Sequence, residues 1–149
     1  MIRGIRFKIP NKYFHPFEEM MLNINIEKYI WTIADNQVFK KGGEFLFTED
    51  TYWGIDFKKI IIHNIYYVVF ANIKAFFNKN DISEIKDFHD FMQSKCQMVI
   101  ICCDAEFVEI YCKSFDDLEI IRRNALEHDY QDVEEITSEN DQRIDFSAF

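Results

Sequence analysis

Adjacent thiols at Cys102 and Cys103 are the first residues whose types could do chemistry, as a redox pair or an activated nucleophile. The thiolate is the reactive form, and it needs a nearby base, a cation or a helix N-terminus. These two sit instead in the apolar run Met98 to Cys103, where burial keeps a thiol protonated. Successive residues of a strand point to opposite faces, so the pair cannot hold one metal ion there. Cys103 and Cys112 fall near opposite ends of a hairpin, outside disulfide reach, leaving Cys96 and Cys112 as the thiols that could approach one another. No C-x-x-C occurs, and His15, His63, His89 and His128 lie at no zinc-ligand spacing. Buried, reduced thiols are the expectation.

Other polar residues give weaker patterns. His89 with Asp87 and Asp90 has the composition of an acid–base group, but acids one or two residues away on a helix point elsewhere. Glu109 is a single carboxylate inside an apolar strand, costly to bury unless paired. Glu139, Asn140, Asp141 and Asp145 offer oxygen ligands around Arg143, without the spacing, central glycine or closing glutamate of a calcium loop. Tyr52-Trp53-Gly54 is an aromatic group in a polar loop, a common setting for binding contacts. With four glycines and none of the phosphate-cradle or nucleophile-elbow motifs, no catalytic residue, cofactor site or metal site is assigned. The contact or pocket candidates are Tyr52, Trp53, Glu109, Glu139, Asn140, Asp141 and Arg143.

The elements that would position them centre on Gln97 to Lys113. Met98–Cys103 and Phe107–Cys112 have strand composition, and Asp104-Ala105 has the length of a two-residue turn. That turn sets Val99, Ile101 and Cys103 on one face with Val108, Ile110 and Cys112, and Met98, Ile100 and Cys102 with Phe107, Glu109 and Tyr111. Before the hairpin come a strand over 65–73, apolar on both faces, and a helix capped by Asp81 with Glu84. After it, Ser114 with Asp117 caps a helix whose stripe is Leu118, Ile121 and Ala125, and 131–136 forms a last strand. This order, β-α-β-β-α-β over about 65–137, is that of a ferredoxin-like unit in an α+β protein. Its second strand, 98–103, would lie at an edge and be open to pairing.

Residues 1–64 read as a strand-rich extension that covers or extends this sheet. Ile5, Phe7 and Ile9 alternate with Arg6 and Lys8, His15-Pro16 opens a short helix, and Tyr29, Trp31 and Ile33 form a strand closed by Asp35-Asn36. Lys40 to Gly43 turns a second hairpin, and Asp56 caps a turn or two of helix before His63. The tail ends in Ile144, Phe146 and Phe149, apolar residues that dock it. No linker interrupts the chain, so residues 1–149 are expected to form one domain.

Charge narrows the function classes. Net charge is −9, and residues 65–149 hold eighteen acids against eight bases. Phosphate backbones repel such a surface, which argues against nucleic acid. The N-terminus lacks the apolar core of a signal peptide, and no apolar run is long enough for a membrane span, so a cytoplasmic protein is expected.

RGIRFKIPN at the start, YYVVFANIKAFF, FVEIYCK and EEITSENDQR near the end together resemble a family of small uncharacterised bacterial proteins, a domain of unknown function from spore-forming Gram-positive bacteria. The resemblance spans nearly the whole chain and implies a lineage, without an activity or site residues. The expected function is that of a non-enzymatic binding or regulatory protein. It would act on a protein partner or self-associate through the 98–103 strand. The alternative is a small-molecule-binding protein or weak enzyme with its pocket between the sheet and the N-terminal half.

Overall fold

The computed structural model describes residues 1–149. Seven strands form one sheet: β1 (Ile2–Lys8), β2 (Ile30–Lys40), β3 (Thr51–Trp53), β4 (Tyr66–Phe76), β5 (Cys96–Cys103), β6 (Phe107–Cys112) and β7 (Gln131–Thr137). Their spatial order is β3-β2-β4-β5-β6-β1-β7, and every neighbouring pair is antiparallel. Four helices complete the fold: α1 (Pro16–Met20), α2 (Gly54–Ile62), α3 (Phe88–Gln93) and α4 (Phe115–Glu127).

The expected ferredoxin-like order is not the one adopted. In that order the 65–73 strand would pair in parallel with 107–112, whereas β4 pairs antiparallel with β5. A parallel crossover needs a connection that travels back along the strand. The six residues of α3 span only about 9 Å, too short to return along β4. The longer α4 does support a crossover. Strands β6 and β7 both run antiparallel to β1, which lies between them, so β6-α4-β7 is a split parallel unit with the N-terminal strand in its gap. Strand β5 is therefore interior, hydrogen-bonded to β4 and β6, and the free edge expected at 98–103 does not exist. Its apolar residues on both faces are those of a central strand.

The hairpin turn has three residues, Asp104 to Glu106, and not two. Cys103 pairs with Phe107, and Asp104 and Ala105 take φ of 52° and 67°. Glu106 stays in the turn because its carbonyl accepts from the Ile9 N–H at 2.8 Å. The one-residue shift exchanges the faces of β6: Val108, Ile110 and Cys112 join Met98, Ile100 and Cys102, while Phe107, Glu109 and Tyr111 join Val99, Ile101 and Cys103. Every aliphatic side chain of β6 then lies under the helices.

On that face a row of isoleucines crosses five strands, Ile33–Ile73–Ile100–Ile110–Ile5. Helices α1, α2 and α4 close over it, and 32 buried residues form a continuous core. Ser114 caps α4 as expected, its Oγ accepting from the Asp117 N–H at 3.1 Å, and Leu118, Ile121 and Ala125 are buried. Trp31 is fully buried, with its ring on Phe57 at 4.6 Å and its Nε1–H donated to Ile26 O at 3.0 Å. Gly54 is required where α2 meets the turn before β2, since a Cβ there would lie 2.4 Å from Ile26 O.

Other expectations change in detail. Asp81 and Glu84 do not cap a helix; Asp87 does, accepting from the Asp90 N–H at 2.8 Å, and 82–87 stays irregular so that Ile85 packs on the sheet. Strand β2 does not end at Asp35-Asn36: it bulges there, with Asp35 at φ 49°, and runs on to Lys40. The loop around Tyr52 contains β3, paired with β2. Residues 1–64 extend the sheet at one end with β2 and β3, insert β1 between β6 and β7, and help cover the helix face; the second face is covered by 82–93 and the C-terminal tail. No helix is long and apolar enough to cross a membrane.

Candidate functional site

One residue along each strand from the isoleucine row, the second face carries Ala34–Asn72–Ile101–Glu109–Arg6–Glu134. Alternation on β1 turns Arg6 outward, and its neighbours across the ladder are both glutamates. Arg6 lies 3.4 Å from Glu109 and 3.6 Å from Glu134, so the three strands hold an acid–base–acid row unaided. Beside it lies a smaller apolar cluster of ten buried residues, including Phe76, Val99, Ile101 and Tyr111.

The C-terminal residues form a strap across this face. Asn140 bonds the β7 edge, its Nδ2 donating to Glu135 O at 2.8 Å and its Oδ1 accepting from the Thr137 N–H at 2.7 Å. Its own carbonyl accepts from Arg6 at 3.2 Å. Asp141 accepts from Tyr111 at 3.0 Å and from Arg3 at 3.1 Å. Arg143 donates Nε and Nη2 to Glu109 Oε1 at 2.8 and 2.5 Å, and Nη1 to the carbonyls of Asp145 and Ser147 at 3.2 and 2.8 Å. Further on, Phe146 O accepts from Asn72, and the Ala148 N–H donates to Asp35 at 3.0 Å. From β7 to β2 there are five inter-strand steps, about 24 Å. Residues 140 to 148 reach at most about 29 Å, so the segment has little slack beyond its bend at Ile144 and Asp145. The β2 bulge is what points Asp35 at its end.

Within the strap only Phe146 and Ala148 are buried, at 2% and 1% exposure, whereas Ile144 is 90% exposed. The Phe146 ring packs on Tyr111 at 4.7 Å. Burial, with the Glu109 and Asp141 charges, raises the Tyr111 phenol above its ordinary range. Burial likewise lowers the amine of Lys74, which donates to Asn72 Oδ1 at 2.9 Å.

Between the strap and strands β6, β1 and β7 lies an open groove of about 830 Å³ lined by Arg6, Glu109, Glu134, Glu139, Asn140 and Arg143 among others. A second cavity of about 400 Å³ shares Arg6, Glu109, Glu134 and Arg143 with it and adds Phe7, Cys103 and Phe107. Four of the seven candidates line the open groove, Glu109, Glu139, Asn140 and Arg143, while Asp141 is turned to Tyr111 and Arg3. Tyr52 and Trp53 lie on β3, at the far edge of the sheet. Tyr52 is structural, its oxygen accepting the N–H groups of Thr48 and Glu49 at 2.9 and 2.8 Å, and Trp53 is 62% exposed.

Sequence patterns did not single out Arg3, Tyr111, Asn72 or Asp35, whose roles depend on where the tail lies. The role of Arg6 was half visible in its outward alternation.

The cysteines divide between the faces. Cys102 is buried under the helices, its thiol pushed up to about 12 by burial. Cys103 faces the smaller cavity, raised by burial and by Asp104. Cys96 and Cys112 belong to opposite clusters, and all four are free. His89 is exposed, while Asp87 and Asp90 are occupied in the α3 cap and with the Lys86 N–H.

Residues 2–147 match the model of a family described as protein of unknown function, DUF2691. Uncharacterized protein YncE of Bacillus subtilis (strain 168) is 33% identical over 153 residues, covering 99% of this chain and 100% of that one. No solved structure matches the chain. The strand and tail segments that carry the family resemblance are thus matched along with nearly everything between them, and the chain belongs to the DUF2691 family.

Proposed function

We propose that the protein is a non-enzymatic, cytoplasmic binding or regulatory module, working as one domain, that takes a basic segment of a protein partner into the groove beside the strap. The imbalance of charge in the groove carries this reading. Both of its guanidiniums are already engaged, Arg143 by Glu109 and Arg6 by Glu109 and Glu134, while Glu139 and Asp145 line it and meet no cation. A basic segment would complete that charge set and be steered toward it by the acidic C-terminal half. Titration with a labelled lysine- and arginine-rich peptide tests it. Saturable binding should weaken as salt rises and fall at least tenfold in Glu134→Gln/Glu139→Gln. Binding no tighter than that of an acidic control peptide would contradict it.

A second reading is favoured by the 400 Å³ cavity, which sets Phe107 beside Arg6 and Arg143, within the size range of small-ligand sites. Stabilisation by a metabolite in a thermal-shift screen, lost in Phe107→Ala, would support it. The absence of any stabilising compound would count against it.

A further inference from the structure

We infer that the sheet face beneath the strap is a peptide-receiving surface, filled in this chain by its own residues 141–148, and that an extended partner segment with an arginine and, three residues on, an aromatic side chain can take the same place. This goes beyond the charge-based reading above and uses neither Glu134 nor Glu139. The strap has no helix or strand of its own. Its contacts are those a docked peptide makes: a guanidinium on Glu109, a ring against Tyr111, a carbonyl on Asn72 and an N–H on Asp35. The last two engage main chain, and the burial of Ala148 adds a requirement for a small side chain at the second of them. The first two specify arginine and an aromatic three residues later, as in Arg143 and Phe146.

Three of the four receiving groups also have a hold outside the strap. Arg6 faces Glu109 from the next strand, Lys74 donates to Asn72, and the β2 bulge fixes Asp35. Displacing the strap leaves Glu109 with Arg6 alone, an under-compensated carboxylate suited to a second guanidinium. Asn140 is placed to act as the hinge. It bonds the β7 edge through its side chain, so the residues after it can leave while the edge stays closed.

Full-length Phe146→Ala and, independently, Ala148→Arg weaken the strap's own hold. A labelled synthetic peptide of the sequence of residues 138–149 should bind either variant saturably, one to one, and bind the unaltered protein at least tenfold more weakly. Replacing the peptide's arginine by alanine, or adding Glu109→Gln to the variant, should cost a further tenfold or more. No binding to a folded variant overturns the inference, as does binding indifferent to both changes. Failure of both variants to fold makes the strap integral to the fold and overturns it too. Concentration-dependent dimers of the variants would assign the face to a second copy instead. The basic-peptide titration of unaltered protein is read separately, so the groove and the face beneath the strap stand or fall apart.

Discussion

The two faces of the sheet differ by one residue in register and by kind of cohesion. Ile33, Ile73, Ile100, Ile110 and Ile5 look toward three helices and a core of 32 residues. Their neighbours Ala34, Asn72, Ile101, Glu109 and Arg6 look toward an extended tail fastened at intervals by hydrogen bonds and ion pairs. Apolar burial is non-directional and grows with area, so the helix face is cohesive throughout. The strap face has a smaller apolar cluster of ten residues, Phe146 and Ala148 among them, and outside it is held at points, each with a named donor and acceptor. The first arrangement suits a scaffold, and the second suits a surface whose cover can be exchanged.

The strongest test of this contrast is on the helix face. Trp31→Ala should cost about 3–5 kcal/mol in chemical denaturation; a cost below about 1 kcal/mol would remove the contrast. Gly4→Ala probes the join between β1 and β6, where a Cβ would lie 2.0 Å from Ile110 O. Backbone there cannot yield as a side chain would, and a loss of about 1–3 kcal/mol is expected. On the strap face, Arg143→Met should cost about 1–2 kcal/mol after allowance for solvent screening, with part of the loss disappearing at high salt. An undiminished cost at high salt would show that packing and not charge holds the strap.

Alkaline pH probes the helix face through a single buried thiol. In the fold the Cys102 thiol is raised from 9.0 to about 12 by burial. Above pH 9 the unfolded chain gives up that proton and the folded chain keeps it, so stability is fully present below pH 9 and falls toward pH 12. The single group should account for a loss of about 1 kcal/mol between pH 9 and 10, recovered in the slope for Cys102→Ala. An unchanged slope in that variant would mean that the thiol is not the group responsible. The smallest effect is expected at Trp53→Ala, within about 0.5 kcal/mol of unaltered stability, because the ring is largely exposed on β3. A larger loss would give β3 a structural part.

What could be seen in the sequence follows the same division. Alternation and helical stripes made the helix face legible: Ile5 and Phe7, Leu118 with Ile121 and Ala125, and the Ser114 cap all fall where their spacing puts them. The register of the hairpin was not legible, since its three-residue turn depends on a bond to Glu106 O from the N–H of Ile9, far away in sequence. Strand order was missed for a related reason. Nothing local says that β1 lies between β6 and β7, and a strand apolar on both faces is compatible with several orders until its neighbours are known. The tail's polar residues were recognisable as candidates, but their partners Arg3, Arg6, Tyr111, Asn72 and Asp35 are scattered along the chain and meet only through the fold.

Native-state hydrogen exchange tests most directly whether the strap opens apart from the scaffold. The Phe146 and Ala148 amides, bonded to Lys86 O and Asp35, are compared with amides inside β4 and β5. The account predicts that the strap amides exchange through a local opening several kcal/mol easier than global unfolding and nearly independent of denaturant. If they exchange only as the β4 and β5 amides do, with the same free energy and denaturant dependence, the two faces unfold as one and the account is wrong.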